Sequence, residues 1–181
     1  MEEFIINSNS DIAKGDDNAR IAFYANIGFF IEVVQMLEYN LRKLLCYEQS
    51  VKEIEKGVIS KDRVMEICKK YDEYYANTYS DRLTLGMLVN KLKKESDLIS
   101  DFVAKLTEIN QYRRKIVHSI FQTNIINAQL ENPETVRDYT NLRLIPMINV
   151  AEQINKAVIK IIEEYREWLH KYKFQVGIKI S

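Results

Sequence analysis

From Met147 to Tyr172 the residues Met147, Ala151, Ile154, Val158, Ile161, Tyr165, Trp168 and Tyr172 recur at alternating four- and three-residue intervals. At about 100° per residue this spacing keeps one apolar stripe on a single side of an α-helix. A strand changes face at every residue and cannot use it. The chain must therefore fold around at least one long helix, which the spacing places from Pro146 to about Lys173, with Trp168 largely buried against the first helix or the helix over 98–122. Only five glycines and two prolines interrupt 181 residues. Most of the chain continues at the same period, so the expected fold is all-α, a bundle of four to five principal helices. A hydrophobic content of 46% fills one core and not two, so residues 1–181 read as a single domain.

The remaining helices follow from caps and breakers. A long first helix starts near Asp16 or Asp17, whose carboxylates cap free amides. It carries Tyr24, Ile27, Ile31, Val34, Leu37, Leu41, Leu44 and Leu45, and ends near Glu48. Residues 49 to 60 are amphipathic up to Gly57, and Ser60 then caps a tyrosine-rich helix over 61–77. Thr84 caps a short helix from Leu85 to Lys94, and Ser96 or Asp97 opens a helix over 98–122. Asn132-Pro133-Glu134 has the chemistry of a helix start, which predicts a short helix to about residue 144. The tail switches period: Phe174, Val176, Ile178 and Ile180 alternate with Gln175, Gly177 and Lys179, as in a strand. A short β tail at 174–180 needs a partner, either Phe4-Ile5-Ile6 or the same tail of a second subunit.

The 26 basic and 26 acidic residues cancel, so no global field draws the chain to nucleic acid or membrane and any anion site is local. Two cysteines, Cys46 and Cys68, are too few for a disulfide framework. With only two histidines, no metal site and no cofactor are expected. The acidic start has no sustained apolar region, and no apolar run approaches bilayer length. The expectation is a soluble, cytoplasmic protein without a membrane partner.

The helix over 98–122 carries the anomaly. Ile99, Phe102, Leu106, Ile109, Ile116 and Ile120 keep a three-four spacing in which Arg113 occupies an apolar position. A guanidinium there needs a partner; Glu32 and Glu38 on the first helix can hold an arginine by a forked, paired hydrogen bond, and ordinary helix-surface charge is the equally weighted alternative for both. Arg113 itself reads either as held in place or as snorkelling from the core edge to water. On nearly the opposite side, Thr107, Gln111, Arg114 and His118 form a polar row without an acid, which suits a phosphate or another subunit better than bulk water.

Arg113, His118 and the pair Ile120-Phe121 that follows resemble the motif of the HEPN superfamily, small α-helical proteins of which many are metal-independent ribonucleases. Leu83-Thr84-Leu85-Gly86-Met87-Leu88-Val89-Asn90-Lys91-Leu92 resembles the segment before the motif helix in several of its families, and Phe29-Phe30-Ile31-Glu32 through Leu44-Leu45 resembles their long first helix. The likeness runs in order over roughly residues 20 to 175. One position departs: the family commonly has a small polar residue after the arginine, and here it is Arg114.

The resemblance implies cleavage of RNA by its own 2′-hydroxyl, with His118 as acid or base and Arg113 as phosphate clamp. Arg114 is a second clamp or its replacement, and Lys115, Gln111 and Lys91 are substrate contacts. One histidine cannot easily make both proton transfers, and the resemblance supplies a homodimer in which two motifs face each other at a composite site. The rival is a catalytically inactive helical dimer that binds a protein antitoxin, a defence partner or a nucleotide. For His118 the bland alternative is a surface or satisfied core histidine, and His170 reads as a surface residue. Lys91, Lys93, Lys94, Arg113, Arg114 and Lys115 form a basic patch if the short helix packs beside the motif helix. Tyr71, Tyr74, Tyr75 and Tyr79 can stack bases, though tyrosines at helical spacing more often cover a core.

Overall fold

The computed structural model describes residues 14–57, 66, 84–96, 100–119 and 132–175. These form α1 (Lys14–Glu55), α2 (Leu85–Glu95), α3 (Ser100–Ser119), α4 (Pro133–Tyr139), a π-helical turn (Thr140–Leu144) and α5 (Ile145–Gln175). The fold is an all-α bundle, with no strand among the described residues.

Helix α1 runs past Glu48 to Glu55 because Val51 and Ile54 extend its buried stripe. It stops at Gly57, whose φ of 93° is open to glycine and strained for other residues, and whose N–H donates to the Ile54 carbonyl. Helix α1 is also long and apolar enough to cross a membrane by length and composition, contrary to the sequence expectation. Its inner side, with Phe30, Val34, Leu37 and Leu41, is the protein core.

Asn132 starts α4 as expected: its Oδ1 accepts from the Glu134 N–H at 3.0 Å and the Thr135 N–H at 3.5 Å, with Pro133 in the first turn. The expected break between this helix and the last one is absent. The chain passes through the π-helical turn directly into α5, the Ile145 N–H bonding to the Thr140 carbonyl five residues back. A proline ring inside a helix collides with the carbonyl four residues earlier. Placing the wider turn just before Pro146 lets the helix continue through it.

Helix α1 lies parallel to the α4–α5 run in constant register. Phe23 meets Tyr139 edge-on at 6.0 Å, the Asn40 amide donates to Asn155 Oδ1 at 2.8 Å, and Val51 and Ile54 pack with Trp168 and Leu169. The buried apolar residues of α5 are Ile148, Ala151, Ile154, Val158, Ile162 and Leu169, while Met147, Ile161, Tyr165, Trp168 and Tyr172 are half-buried. The innermost line is thus one residue away from the expected stripe at Met147, Ile161 and Trp168. Trp168, expected largely buried, covers a satellite cluster at the end of α1 and stacks on Tyr172 at 5.4 Å. Phe174 and Gln175 belong to α5, which corrects the start of the proposed β tail. Residues 176–180, Phe4–Ile6, the expected helix over 61–77 apart from Glu66, and the tyrosines at 71, 74, 75 and 79 lie outside the described residues.

Candidate functional site

Helices α2 and α3 form an antiparallel hairpin. Gly86 near the start of α2 backs onto Asn110 of α3, where a Cβ would come 3.1 Å from Asn110 Nδ2. Glycine permits that approach. At the other end Leu92, Lys93 and Ser96 face Val103, Ala104 and Thr107 across an open groove of ≈ 670 Å³.

The hairpin is fastened to α1 by one carboxylate. Thr84 takes the extended backbone of a capping residue but makes no side-chain cap bond, contrary to expectation. The cap comes from Glu38, 47 positions before its partner: the Leu85 N–H donates to Glu38 Oε1 at 2.7 Å. A negative group is favoured at a helix N-terminus by both the free amides and the macrodipole. Glu38 is buried, and Arg113 Nη2 lies 3.7 Å from the same oxygen. The apolar position held by an arginine is therefore explained: a buried carboxylate on α1 neutralises the guanidinium and starts α2 at once. The contact is an ion pair and not the forked hydrogen bond that was one of the two alternatives. It involves one terminal nitrogen, Nη2, at ion-pair distance, and with 26% of its side chain exposed Arg113 also reaches solvent. Glu32, the other candidate, is exposed on α1.

Tyr112 fixes the rotation of α3 about this contact. Its ring meets Phe30 edge-on at 5.4 Å, and its hydroxyl donates to the Tyr139 hydroxyl at 3.1 Å. Burial, and next that bond, push its pKa well above the ordinary phenol value. Phe23, Phe30, Tyr112 and Tyr139 thus make an aromatic wall joining α1, α3 and α4 beside Arg113.

The polar row faces outward. Gln111, Arg114 and His118 are exposed, as is Lys115, and Thr107 is half-buried with its hydroxyl donating to the Val103 carbonyl. Arg113 and His118, five residues apart, point roughly 140° from each other, one toward Glu38 and one to solvent, so a single chain does not gather them into one cleft. Lys91, Lys93 and Lys94 are exposed, but the antiparallel hairpin puts Lys91 level with about Lys105, in the first half of α3 and roughly 15 Å along the helix from Lys115. The expected basic patch is split into two. His170 is exposed, in line with its reading as a surface residue.

Two features of the site were missed in the sequence. The Tyr112–Tyr139 pair leaves no linear trace. The capping role of Glu38 left one: it lies between Leu37 and Leu41 in a stripe otherwise apolar, the same anomaly that singled out Arg113. Among the described residues no group of three or more His, Cys, Asp and Glu is placed to hold a metal ion. No protein-family model, curated protein or solved structure matches this chain.

Proposed function

We propose that the protein is a metal-independent endoribonuclease of a toxin or defence type, acting in the cytoplasm at a composite site made by two copies of the chain. The observation that carries this reading is the mounting of Arg113. A clamp for a transferring phosphate gains from being held before the substrate arrives, and Glu38 holds this guanidinium while leaving most of its donors for an anion. His118 is exposed on the same helix, able to take the proton of a 2′-hydroxyl or return one to the leaving oxygen. Arg114, Lys115 and Gln111 line the same solvent side as further phosphate or base contacts, and Lys91 contacts substrate at a distance. Because Arg113 and His118 diverge within one chain, a working site takes its arginine from one copy and its histidine from the other. The 2′-hydroxyl requirement restricts substrates to RNA.

The test is cleavage of mixed RNA in EDTA by the purified protein. Turnover that His118→Ala lowers by about 10²–10⁴-fold with the fold intact supports the reading. Cleavage that EDTA eliminates, or that survives His118→Ala, overturns it. Arg114→Asn, which restores the commoner residue of the resembling family, keeps or raises activity if Arg113 is the clamp and abolishes it if Arg114 is.

One observation favours a second reading, a non-enzymatic helical dimer that binds an antitoxin or defence partner: Glu38 already neutralises Arg113, as it would in a purely structural role. Clean dimer that cuts no RNA supports that alternative.

A further inference from the structure

The groove between α2 and α3 opens on the side of α3 that carries the polar row. Counted around the helix, Ala104, Thr107, Gln111, Arg114 and His118 stay within roughly 80° of one another, and the first three of them line the groove. Its volume of ≈ 670 Å³ falls in the range of about 300–1,000 Å³ that small-ligand sites occupy. Leu92, Val103 and Ala104 give it apolar walls, and Ala104 is exposed with only a methyl group to fill the space. Apolar walls with a few polar groups at the rim suit a flat heteroaromatic ring.

The polar rim is made by Lys93 of α2 and by Glu108 and Gln111 of α3. All three are exposed, and among the described residues none of these side chains has a hydrogen bond or ion pair. Glu108 is the unexpected member. The polar row itself has no acid, and a carboxylate at its border repels an RNA backbone unless a donor from the RNA meets it. Glu108 and Gln111 are three positions apart, which makes them neighbours on the helix surface, about 5–6 Å between Cβ atoms. Together they present two carboxylate acceptors beside an amide donor.

We infer that this groove seats a guanine base of the single-stranded RNA cut at His118. Among the four RNA bases only guanine carries two donors side by side on its base-pairing edge, N1–H and N2–H, with the O6 acceptor next to them. Glu108 accepts from both donors, and Gln111 Nε2 donates to O6. Adenine, cytosine and uracil each turn at least one lone pair toward the carboxylate and leave it short of a donor. Reading an unstacked base by this edge is the usual route to sequence-specific RNA recognition. Lys93 takes the phosphate of the seated nucleotide as a point charge. Thr107, beside the groove centre, is roughly 16 Å along α3 from His118, so cuts fall at a fixed offset from the guanine. The inference rests on the ribonuclease reading and adds base specificity to it.

NMR titration of the full chain with 2′-O-methyl oligonucleotides tests the seat apart from cleavage, because the blocked 2′-oxygen cannot attack. Short uridine-rich oligomers carry guanine, hypoxanthine or adenine at one central position. The guanine oligomer is expected to shift the amides of Lys93, Ala104 and Gln111 and to bind roughly tenfold or more tightly than the other two. Hypoxanthine lacks N2–H, and adenine has neither donor in place. Glu108→Gln removes this preference with helical circular dichroism kept, whereas Lys105→Gln, an exposed change on α3 outside the groove, retains it. Equal binding of the three oligomers, or no binding of any, overturns the inference, as does a guanine preference that survives Glu108→Gln. Guanosine 5′-monophosphate bound as tightly as the guanine oligomer overturns it in favour of a free-nucleotide site. Guanine preference without cleavage of any unmodified RNA removes the nuclease reading and leaves the seat; cleavage at positions with no fixed offset from guanine removes the seat and leaves the nuclease.

Discussion

Glu38 has two partners and one oxygen for both. Removing it leaves the start of α2 uncapped and a partly buried guanidinium uncompensated. Glu38→Ala is therefore expected to cost about 2–3 kcal/mol in urea unfolding. Glu38→Gln keeps an acceptor for the Leu85 N–H and loses only the charge, so it should cost about 1 kcal/mol. Equal losses in the two variants would show that the cap contributes nothing. Tyr112 makes a pH prediction. Burial and its donated hydrogen bond raise its pKa from the ordinary 10.0, so the folded state favours the protonated phenol. The stability this confers is complete below the unfolded value and is lost as pH climbs from there toward the folded one. Stability measured above about pH 10 should fall less steeply in Tyr112→Phe than in the wild type. These residues also show what a sequence hides. Arg113 announced itself as a charge in an apolar stripe, and the acid that holds it was one of two candidates. Choosing Glu38 over Glu32 required knowing which side of α1 the α2–α3 hairpin covers, a tertiary fact.

At the scale of elements, caps and stops made of local chemistry were legible: Asn132-Pro133 opening α4 and Gly57 ending α1 are contacts between near neighbours. Thr84 failed for the converse reason, because the acceptor that replaced it comes from another helix. The register of α5 failed through degeneracy. Ile161 and Ile162 are adjacent and equally apolar, as are Trp168 and Leu169, and a π-helical turn upstream rotates everything after it relative to a uniform helix. The energetics should follow the observed line. Ile162, 5% exposed, should cost about 2–5 kcal/mol when truncated to alanine, and the half-buried Ile161 about 1 kcal/mol. Thermal unfolding in which Ile161→Ala is the worse variant would restore the stripe read from the sequence. Pro146 did not end a helix here, so a proline rule applied to sequence alone splits one continuous element into two.

For the molecule as a whole, helical class followed from period and the scarcity of breakers. The parallel pairing of α1 with α4–α5 did not, because a helix stripe states which side is buried and not which neighbour buries it or in which direction it runs. The shared carboxylate has a further consequence, in the time domain. The Leu85 amide is bonded to an oxygen whose strength as an acceptor depends on how closely a guanidinium approaches it. An anion that draws Arg113 outward leaves that oxygen more basic toward the amide, and hydrogen exchange at Leu85 should then slow. Arg113→Ala should slow it likewise, with no anion present. Titration with inorganic phosphate while following this amide by NMR checks both: protection that is unchanged, or that falls, would mean the two contacts are independent. If they are coupled, a backbone proton at the start of α2 records when the arginine of α3 is engaged, although neither helix needs to move.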